Sequence, residues 1–355
     1  MKSEKIEITN CKMIEQGYKR GSCLTFYKPD TLYTPGYLQD TACKVTLKWE
    51  NDKPYRLLKS IQLSRPEDYL SIYQSGCNFS CLKCHSWEFT QFKNGEWMSP
   101  IDIVEIVKDY AKIVTVNEPK ERATAFHSDD LCRNCGLCVL EGKRSSICPG
   151  KLRKEQILLS PQGFGPARNI VAFTGGDIAC NPEWYLQTAS KIKELNLNLW
   201  VLFETNGYGL TPRNLDLYKD SGIDSFWLDI KAFKNEIHRK LTGCDNDLIL
   251  KLPEEILKRG FTLEVLTLYI PGWVEVDEIK KIAEHLVKLE PNIPFTILAF
   301  FGAYRLKNLR SPNLDEMLKA YRTVKEVGLR NVRLGNIGLF VKNEEEYSTL
   351  LKLTE

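Results

Sequence analysis

Short apolar runs alternate with longer amphipathic stretches from residue 69 onward. Apolar runs of about four to eight residues are typical of strands buried on both faces, and amphipathic stretches between them predict covering helices. This alternation favours an α/β fold with a parallel sheet. The runs that fit such strands are Tyr69–Tyr73, Ile170–Phe173, Leu199–Phe203, Phe226–Ile230, Phe261–Ile270 and Phe295–Leu298, with Val332–Asn336 as an additional edge strand.

Helix starts are marked by a capping residue followed by proline. In Ser99-Pro100-Ile101-Asp102, Ser suits the N-cap, Pro suits the first helical position and Asp can complete a capping box. An apolar face follows in this segment. The same start recurs at Asn181-Pro182, Thr211-Pro212 and Ser311-Pro312.

The order of these elements predicts four segments. Six βα units over residues 69–336 predict an open, partial (β/α)6 barrel, whose active site should lie at the carboxyl ends of the strands. Residues 118–168 interrupt the barrel as an insert, and residues 337–355 form a helical tail. Residues 1–68 predict a small β-rich extension, because alternating pieces such as Lys44–Trp49 are separated by turn signals at Thr34–Gly36 and Glu50–Asp52.

Composition narrows the classes of function. The chain has 355 residues, of which 43% are hydrophobic and 27% charged, as in ordinary globular proteins. A net charge of +3 without blocks of like charge gives no strong nucleic-acid signal. No apolar run is long enough to span a membrane, and the polar start Met1–Lys5 lacks the apolar core of a signal peptide. Twelve cysteines in clusters therefore indicate metal ligands in a reducing cytoplasm.

Three of these cysteines, Cys77, Cys81 and Cys84, lie on one short loop directly after the first predicted barrel strand. Gly76 allows a tight turn before the first thiol. Three thiolates cannot complete a tetrahedral site, but they can hold three irons of a [4Fe–4S] cluster and leave the fourth iron open to a chelating ligand. A zinc knuckle and chance loop cysteines are the alternatives, although zinc sites usually use paired C-x2-C units.

A second group lies in the insert. Cys132, Cys135 and Cys138 are followed by Cys148-Pro149, a pattern similar to half of a bacterial ferredoxin. No second triplet accompanies it, so Cys148 most simply completes the same cluster. The insert has too few apolar residues for a core, which indicates that a cluster stabilises it. Zinc is again the alternative.

The extension carries Cys11, Cys23 and Cys43. Their separation along the chain matches no compact ligand motif. Cysteine is among the most buried residue types, so buried free thiols are favoured over a further cluster.

The first triplet resembles the signature of the radical S-adenosylmethionine (SAM) superfamily, in which the open iron binds the amino and carboxylate groups of SAM. Motifs at later strand ends are similar to those of glycyl-radical-enzyme activating enzymes, the pyruvate formate-lyase activase-like members of that superfamily, some of which carry a ferredoxin-like [4Fe–4S] insert. The resemblance covers about residues 69–336. Its motifs are Thr174-Gly175-Gly176-Asp177, Glu204-Thr205-Asn206-Gly207, Asp229-Ile230-Lys231, His238 with Leu241-Thr242-Gly243, and Ile270-Pro271-Gly272-Trp273.

The resemblance implies a role for each strand-end residue. Gly175, Gly176 and Asp177 would hold the methionine amino group, although Asp replaces the usual Glu. Thr205 and Asn206 would face SAM, and Lys231 would meet its carboxylate or ribose. A monovalent cation site beside SAM would be formed by Glu204, Thr205 and Asp229.

The resemblance also implies the chemistry. Two [4Fe–4S] clusters and SAM would make the chain an oxygen-sensitive oxidoreductase that cleaves SAM reductively to a 5′-deoxyadenosyl radical and abstracts a hydrogen atom from its substrate. No catalytic side chain is needed beyond the cluster and SAM. A ferredoxin or flavodoxin would donate the electron.

Three classes of function remain open. The resemblance favours a protein, namely a glycyl-radical enzyme. An RNA or a small metabolite is the alternative, with the extension as a cover over the substrate. A non-enzymatic iron–sulfur electron carrier is the third.

Three departures bear on the substrate. Lys83 replaces the aromatic residue that usually precedes the third cysteine of the triplet. The segment Ala299–Tyr304 lacks the His that the family often has after the sixth strand. The extension of residues 1–68 has no counterpart in the short activating enzymes.

Overall fold

The computed structural model describes residues 11–28 and 36–354. No helix in these residues has the length and apolarity needed to cross a membrane. The strands are β1 (Leu24–Tyr27), β2 (Leu38–Thr41), β3 (Leu47–Glu50), β4 (Lys53–Leu63), β5 (Leu70–Gln74), β6 (Glu96–Met98), β7 (Leu158–Ser160), β8 (Gly163–Gly165), β9 (Ile170–Gly175), β10 (Trp200–Thr205), β11 (Ser225–Asp229), β12 (Thr262–Tyr269), β13 (Phe295–Ala299) and β14 (Val332–Gly335). The helices are α1 (Lys12–Glu15), α2 (Ala42–Thr46), α3 (Trp87–Thr90), α4 (Pro100–Ile113), α5 (Leu137–Leu140), α6 (Glu183–Glu194), α7 (Pro212–Asp220), α8 (Asn235–Thr242), α9 (Asp247–Lys258), α10 (Val276–Val287), α11 (Leu314–Val327) and α12 (Glu344–Thr354).

A ten-stranded sheet forms the centre of the fold, with the order β14-β13-β12-β11-β10-β9-β5-β4-β3 and β6 paired to β4. Strand β5 and the strands β9 to β14 run parallel to one another. Strands β3, β4 and β6 add antiparallel pairs at one edge of the sheet. The predicted α/β architecture is therefore confirmed as a partial barrel. All six predicted barrel strands and the edge strand Val332–Gly335 are present.

The two faces of the sheet differ in chemistry. Alternate residues such as Phe173, Phe203 and Phe226 point outward to the helices, where Tyr185 and Tyr218 pack against them. The inner face has a smaller apolar group, which is Tyr69, Ile170, Ala172 and Leu202 with Trp200 and Trp227 at its border. Buried carboxyl groups lie among these residues, so the inner face combines packing with polar chemistry.

Helix capping follows the sequence at two of the four predicted starts, and the N-cap position of α6 is Pro182 rather than the predicted Asn181. The Ser99 side chain accepts from the Asp102 backbone N–H, and the Asp102 carboxylate accepts from the Ser99 backbone at 2.7 Å, which confirms the capping box of α4. Thr211 caps α7 in the predicted way. The start predicted at Ser311-Pro312 is too early, because Asn313 forms the capping box of α11 instead.

The N-terminal extension is less regular than its sequence suggests. The prediction of an alternating strand over Lys44–Trp49 is wrong in its first half, because Ala42–Thr46 forms α2 and buries one side against the core. The hairpin between β3 and β4 is present, with positive φ at Asn51 and Asp52. Most of the turn predicted at Thr34–Gly36 lies outside the described residues.

Residues 16–23, which we call the N-terminal strap, lie across the carboxyl ends of the barrel strands. The Ser80 hydroxyl donates to the Ser22 carbonyl at 2.6 Å, and the Tyr208 hydroxyl donates to the Lys19 carbonyl at 2.9 Å. Lys19 also pairs with Asp245 at 2.7 Å. The strap therefore joins three loops that follow different barrel elements.

Residues 118–168 lie at the opposite end of the barrel. Trp200 Nε1, at the start of β10, donates to the Glu118 carbonyl at 2.7 Å, and the Thr262 hydroxyl at the start of β12 donates to the Lys120 carbonyl at 3.0 Å. The fully buried Arg168 pairs with the Glu118 carboxylate and donates to the Thr124 carbonyl at 2.7 Å. These contacts place the insert over the amino ends of the strands.

Candidate functional site

The loop Cys77–Cys84, which we call the cluster loop, begins where β5 ends. Gly76 has φ of +75°, and a Cβ at this position would lie 2.7 Å from Thr46 Oγ1. A side chain would therefore be strained by the backbone and blocked by a neighbour. This turn directs Cys77 toward the carboxyl edge of the sheet.

Backbone hydrogen bonds fix the cluster loop from two sides. The Asn78 N–H donates to the Asp177 carbonyl at 2.7 Å. On the other side, the Ser80 N–H donates to the Thr242 carbonyl at 3.0 Å, and the Leu82 N–H donates to the Leu241 carbonyl at 2.8 Å. The conformation of the loop thus depends on the loop after β9 and on the end of α8.

The thiols of Cys77, Cys81 and Cys84 are half-buried. Burial raises the pKa of Cys77 to about 12 and raises that of Cys81 well above its usual range. Metal ligands must be thiolates, so iron binding here would release protons. Three thiols on one rigid loop match the donor set of an iron–sulfur cluster.

Asp177 organises the neighbouring strand end. Its carboxylate accepts from the Ala179 N–H at 2.8 Å, from the Thr205 hydroxyl at 2.7 Å and from the Asn206 N–H at 3.0 Å. These bonds connect the loop after β9 to the end of β10. Burial raises the pKa of Asp177, while the bonded donors oppose that rise. Much of its hydrogen-bonding capacity is therefore used within the protein.

Asn206 reaches from β10 to the cluster loop. Its Nδ2 donates to Asn78 Oδ1 at 2.7 Å and lies 3.6 Å from Cys77 Sγ. Gly176 packs closely against the turn before the cluster loop, because a Cβ at this position would lie 2.2 Å from the Gly76 carbonyl oxygen. Gly175 also has a positive φ, of +85°. The structure thus brings four of the predicted SAM-binding residues, Gly175, Gly176, Asp177 and Asn206, together beside Cys77.

Lys231 and Asp229 form an ion pair at the end of β11. Burial alone would lower the pKa of Lys231, but Asp229 and the nearby Cys81 outweigh burial and raise it. Asp229 Oδ1 is buried and has no hydrogen-bond partner within the described residues. The pair therefore places a cation and an unused acceptor next to the cluster loop.

Glu204 points into the barrel. Its carboxyl group contacts the Tyr69 hydroxyl at 2.7 Å and the Thr174 hydroxyl at 2.5 Å, and burial raises its pKa to about 8. Thr205 bonds to the Asp177 carboxylate, and Asp229 pairs with its own lysine. The three residues expected to bind a cation each have a different partner in the described structure.

The sequence did not reveal the surroundings of Lys83. Its Nζ lies 3.4 Å from the centre of the Phe301 ring and has no hydrogen-bond partner within the described residues. Burial lowers the pKa of Lys83 to about 8. An aromatic ring from the loop after β13 therefore lies beside position 83. Asn78, which bonds to Asn206, was also not singled out.

The four insert cysteines lie in a separate region. Burial raises the pKa of Cys132 to about 11, and Cys135 and Cys138 are among the groups that raise it further by charge repulsion. Cys135 Sγ lies 3.8 Å from the Ser145 hydroxyl, and the Cys148 N–H donates to the Ser145 carbonyl at 3.1 Å. The structure therefore brings all four into one loop region.

This group lies far from the cluster loop along the barrel axis. Asn134, between the first two insert cysteines, donates to Asp68 Oδ1 at 2.8 Å, and Asp68 precedes β5. Cys77 follows the other end of β5. A five-residue strand spans about 16 Å, so the two groups of thiols lie near opposite ends of the barrel.

Comparison with known proteins adds to this geometry. A model described as the radical SAM superfamily matches residues 133–286. The resemblance to the radical SAM superfamily is thereby confirmed. The match includes the strand-end motifs from Thr174 to Trp273 but begins after the cluster loop, so the radical SAM ligand residues themselves stay predictions. The superfamily implies a [4Fe–4S] cluster and SAM.

Curated relatives agree with this assignment. The chain is 31% identical over 135 residues to a protein of Methanocaldococcus jannaschii named "Putative glycyl-radical enzyme activating enzyme", covering 37% of this chain and 49% of the relative. It is also 31% identical over 110 residues to the 4-hydroxyphenylacetate decarboxylase activating enzyme of Clostridium scatologenes, covering 30% of this chain and 34% of the relative. The match thus spans about half of one relative and a third of the other.

Solved structures with a similar fold are more distant. A domain of a pyruvate-formate lyase-activating enzyme from Bacteroides vulgatus gives a TM-score of 0.41 at 18% identity, covering 47% of this chain and 98% of that one. A radical SAM methyltransferase from Sphaerobacter thermophilus gives a TM-score of 0.49 at 12% identity, covering 88% of this chain and 77% of that one.

Proposed function

We propose that the chain is a radical SAM enzyme that cleaves SAM reductively and abstracts a hydrogen atom from its substrate. The observation that carries this proposal is the convergence of the cluster loop with Asp177, Asn206 and Lys231 at the carboxyl edge of a parallel sheet. Ligand sites of α/β barrels lie at this edge. Electron transfer alone would not require these ligand-binding residues at the strand ends.

Each residue has a defined part in this proposal. Cys77, Cys81 and Cys84 would hold three irons of a [4Fe–4S] cluster, which with SAM bound supplies a radical able to abstract hydrogen. Lys231 provides the positive charge that offsets the thiolates or a SAM carboxylate. The Asp229 oxygen that has no partner within the described residues would accept a hydrogen bond from bound SAM.

The insert would hold a second [4Fe–4S] cluster on Cys132, Cys135, Cys138 and Cys148. Four local thiols would leave no iron open, so this cluster would not bind substrate. Its position at the amino edge weakens a role as a direct relay to the cluster loop, since β5 separates the two groups. We propose that it stabilises the insert and exchanges electrons at that face.

The substrate we propose is a protein, namely a glycyl-radical enzyme, and the electron donor a ferredoxin or flavodoxin. The names of the two curated relatives support this choice. Incubation with a candidate glycyl-radical enzyme, SAM and reductant should produce a glycyl radical signal in electron paramagnetic resonance. Stoichiometric SAM cleavage without that signal would direct the search to RNA or a small metabolite.

The central claim can be tested without the substrate. Anaerobic reconstitution of a variant with Cys77→Ala, Cys81→Ala and Cys84→Ala should remove about four irons per chain and abolish SAM cleavage by dithionite. Cys244→Ala, a buried cysteine outside both groups, is the matched control and should retain both. SAM cleavage by the triple variant would refute the assignment.

A further inference from the structure

Four cysteines that belong to neither predicted cluster line one cavity of about 500 Å³. These cysteines, which lie on four separate segments of the chain, are Cys11, Cys23, Cys43 and Cys180. Cys43 and Cys180 are 137 residues apart in sequence, yet their Sγ atoms lie 4.0 Å apart. The expectation of buried free thiols in the extension stays a prediction, but the structure adds that its three cysteines share a cavity with a fourth, from the loop after β9.

We propose that these four cysteines bind a third [4Fe–4S] cluster. A cavity of this size lined by four thiols has both the room and the donor atoms for such a cluster. Cys thiolates are the usual ligands of such clusters, and four of them would cap every iron.

A cluster fits this site better than a single zinc ion. Zinc holds its thiolates close together, with Zn–S distances of about 2.3 Å. Within residues 11–28 and 36–354, no three Cys, His, Asp or Glu side chains lie at the spacing of ligands around one ion, and this includes the cluster loop. The Sγ atoms of Cys43 and Cys180, at 4.0 Å, form one close pair in the cavity. A four-iron cluster spreads its ligands over a wider volume.

The charges around the cavity agree with a negatively charged occupant. Lys12 and Lys44 line it, but each pairs with an acid, Glu15 at 3.3 Å and Asp40 at 3.5 Å. Among the described lining residues, Arg20 is the cation without a carboxylate partner, and it bonds to the Cys23 thiol. One guanidinium next to the thiols would offset part of the charge of a thiolate-bound cluster.

The cavity also lies next to the cluster loop. Asn78 lines it and bonds to Asn206, which in turn lies 3.6 Å from Cys77 Sγ. The insert cysteines, by contrast, lie at the other end of the barrel. The proposed cluster would therefore be the auxiliary cluster nearer to the SAM site, and it would attach the N-terminal strap to the loop after β9.

Iron and acid-labile sulfide counts test the proposal on the full chain. After anaerobic reconstitution the wild-type protein should hold about twelve irons, and a variant with Cys11→Ala, Cys23→Ala and Cys43→Ala should hold about eight. The variant should still cleave SAM with dithionite, which shows that it folds and keeps the first cluster. Cys244→Ala, another buried cysteine beside the strap, is the matched control and should keep all the iron.

Several results would overturn the proposal. A wild-type content of about eight irons would do so without any variant, and so would one zinc per chain that is lost in the triple variant. Finding Cys43 and Cys180 joined as a disulfide after reconstitution would also contradict it. Loss of SAM cleavage in the cluster-loop variant tests the proposed function separately, because that experiment leaves these four cysteines intact.

Discussion

Glu204 offers a sharp test of the barrel interior. In Glu204→Gln, the side-chain oxygen can still accept from the Tyr69 hydroxyl, and the new amide can donate to the Thr174 hydroxyl oxygen, so both contacts of the carboxyl group are preserved. The substitution therefore removes only the capacity to ionise. We expect the variant to fold normally and to be more stable than the wild type at alkaline pH.

The magnitude follows from the pKa. Burial raises the pKa of Glu204 from its ordinary value of 4.5 to about 8. A carboxyl group of this kind contributes stability fully below its unfolded pKa, and the contribution is lost as the pH rises through the folded pKa. One pKa unit corresponds to about 1.36 kcal/mol, so the free energy of unfolding of the wild type should fall by up to roughly 5 kcal/mol between pH 4.5 and 8. Water at the barrel mouth makes this an upper limit.

Urea denaturation at pH 5, 6.5 and 8 would measure the effect as the difference in unfolding free energy between variant and wild type. The advantage of Glu204→Gln should grow toward pH 8. Asp109→Asn, a change of a fully exposed carboxylate on α4, is the control and should show no such trend. A constant difference across this range would refute the reasoning.

Loss of potassium-dependent SAM binding in Glu204→Gln would instead support the cation site.

Three further variants test the site. Asp177→Ala leaves two backbone N–H groups and a hydroxyl unpaired, at about 1–3 kcal/mol each, so it should lower the free energy of unfolding. It should also weaken SAM binding, measured by equilibrium dialysis, roughly 10- to 100-fold. An unchanged unfolding free energy and SAM affinity would show that Asp177 has neither role. Gly176→Ala should lower the free energy of unfolding by about 1–3 kcal/mol and reduce the iron bound by the cluster loop, because the new Cβ would collide with the Gly76 carbonyl oxygen. A full iron content would contradict this close packing. Cys132→Ala with Cys135→Ala should remove about four irons and lower the stability of the insert, yet spare SAM cleavage by dithionite. Loss of that cleavage in a folded variant would show that the clusters depend on each other.

The sequence predicted what depends on local pattern. Strand positions followed from continuous apolar runs, as in Ile170–Phe173, because burial on both faces leaves a strong local signal. The Ser99 cap was predictable because its partner is three residues away. Ser311 was misassigned because Asn313, two residues later, offers a better cap. The strand predicted over Lys44–Trp49 failed in its first half because Ala42–Thr46 packs as a helix against the core.

Long-range convergence was not predictable in this way. Cys180 lies far from the extension in sequence, and its approach to Cys43 results from how the extension folds onto the barrel. Spacing rules consider only neighbouring residues, so they gave the extension thiols no partner. The resemblance implied a cation-binding role for Glu204, which stays a prediction, whereas its contact with the Tyr69 hydroxyl inside the barrel has no signal in the motif. Such contacts depend on topology rather than on motif.

The N-terminal strap has a consequence for biosynthesis. Lys19 pairs with Asp245, so a segment that leaves the ribosome first finds its partner only after 226 further residues have been added. At about 5–20 residues per second, the interval between synthesis of Cys84 and of Asp245 is roughly 8–30 s. During this interval the strap can bond to Ser80 but still lacks one or both of its later partners, Tyr208 and Asp245, so its attachment at the carboxyl edge is incomplete. We expect the thiols of the cluster loop to be more accessible to iron and sulfide before these later contacts form than after.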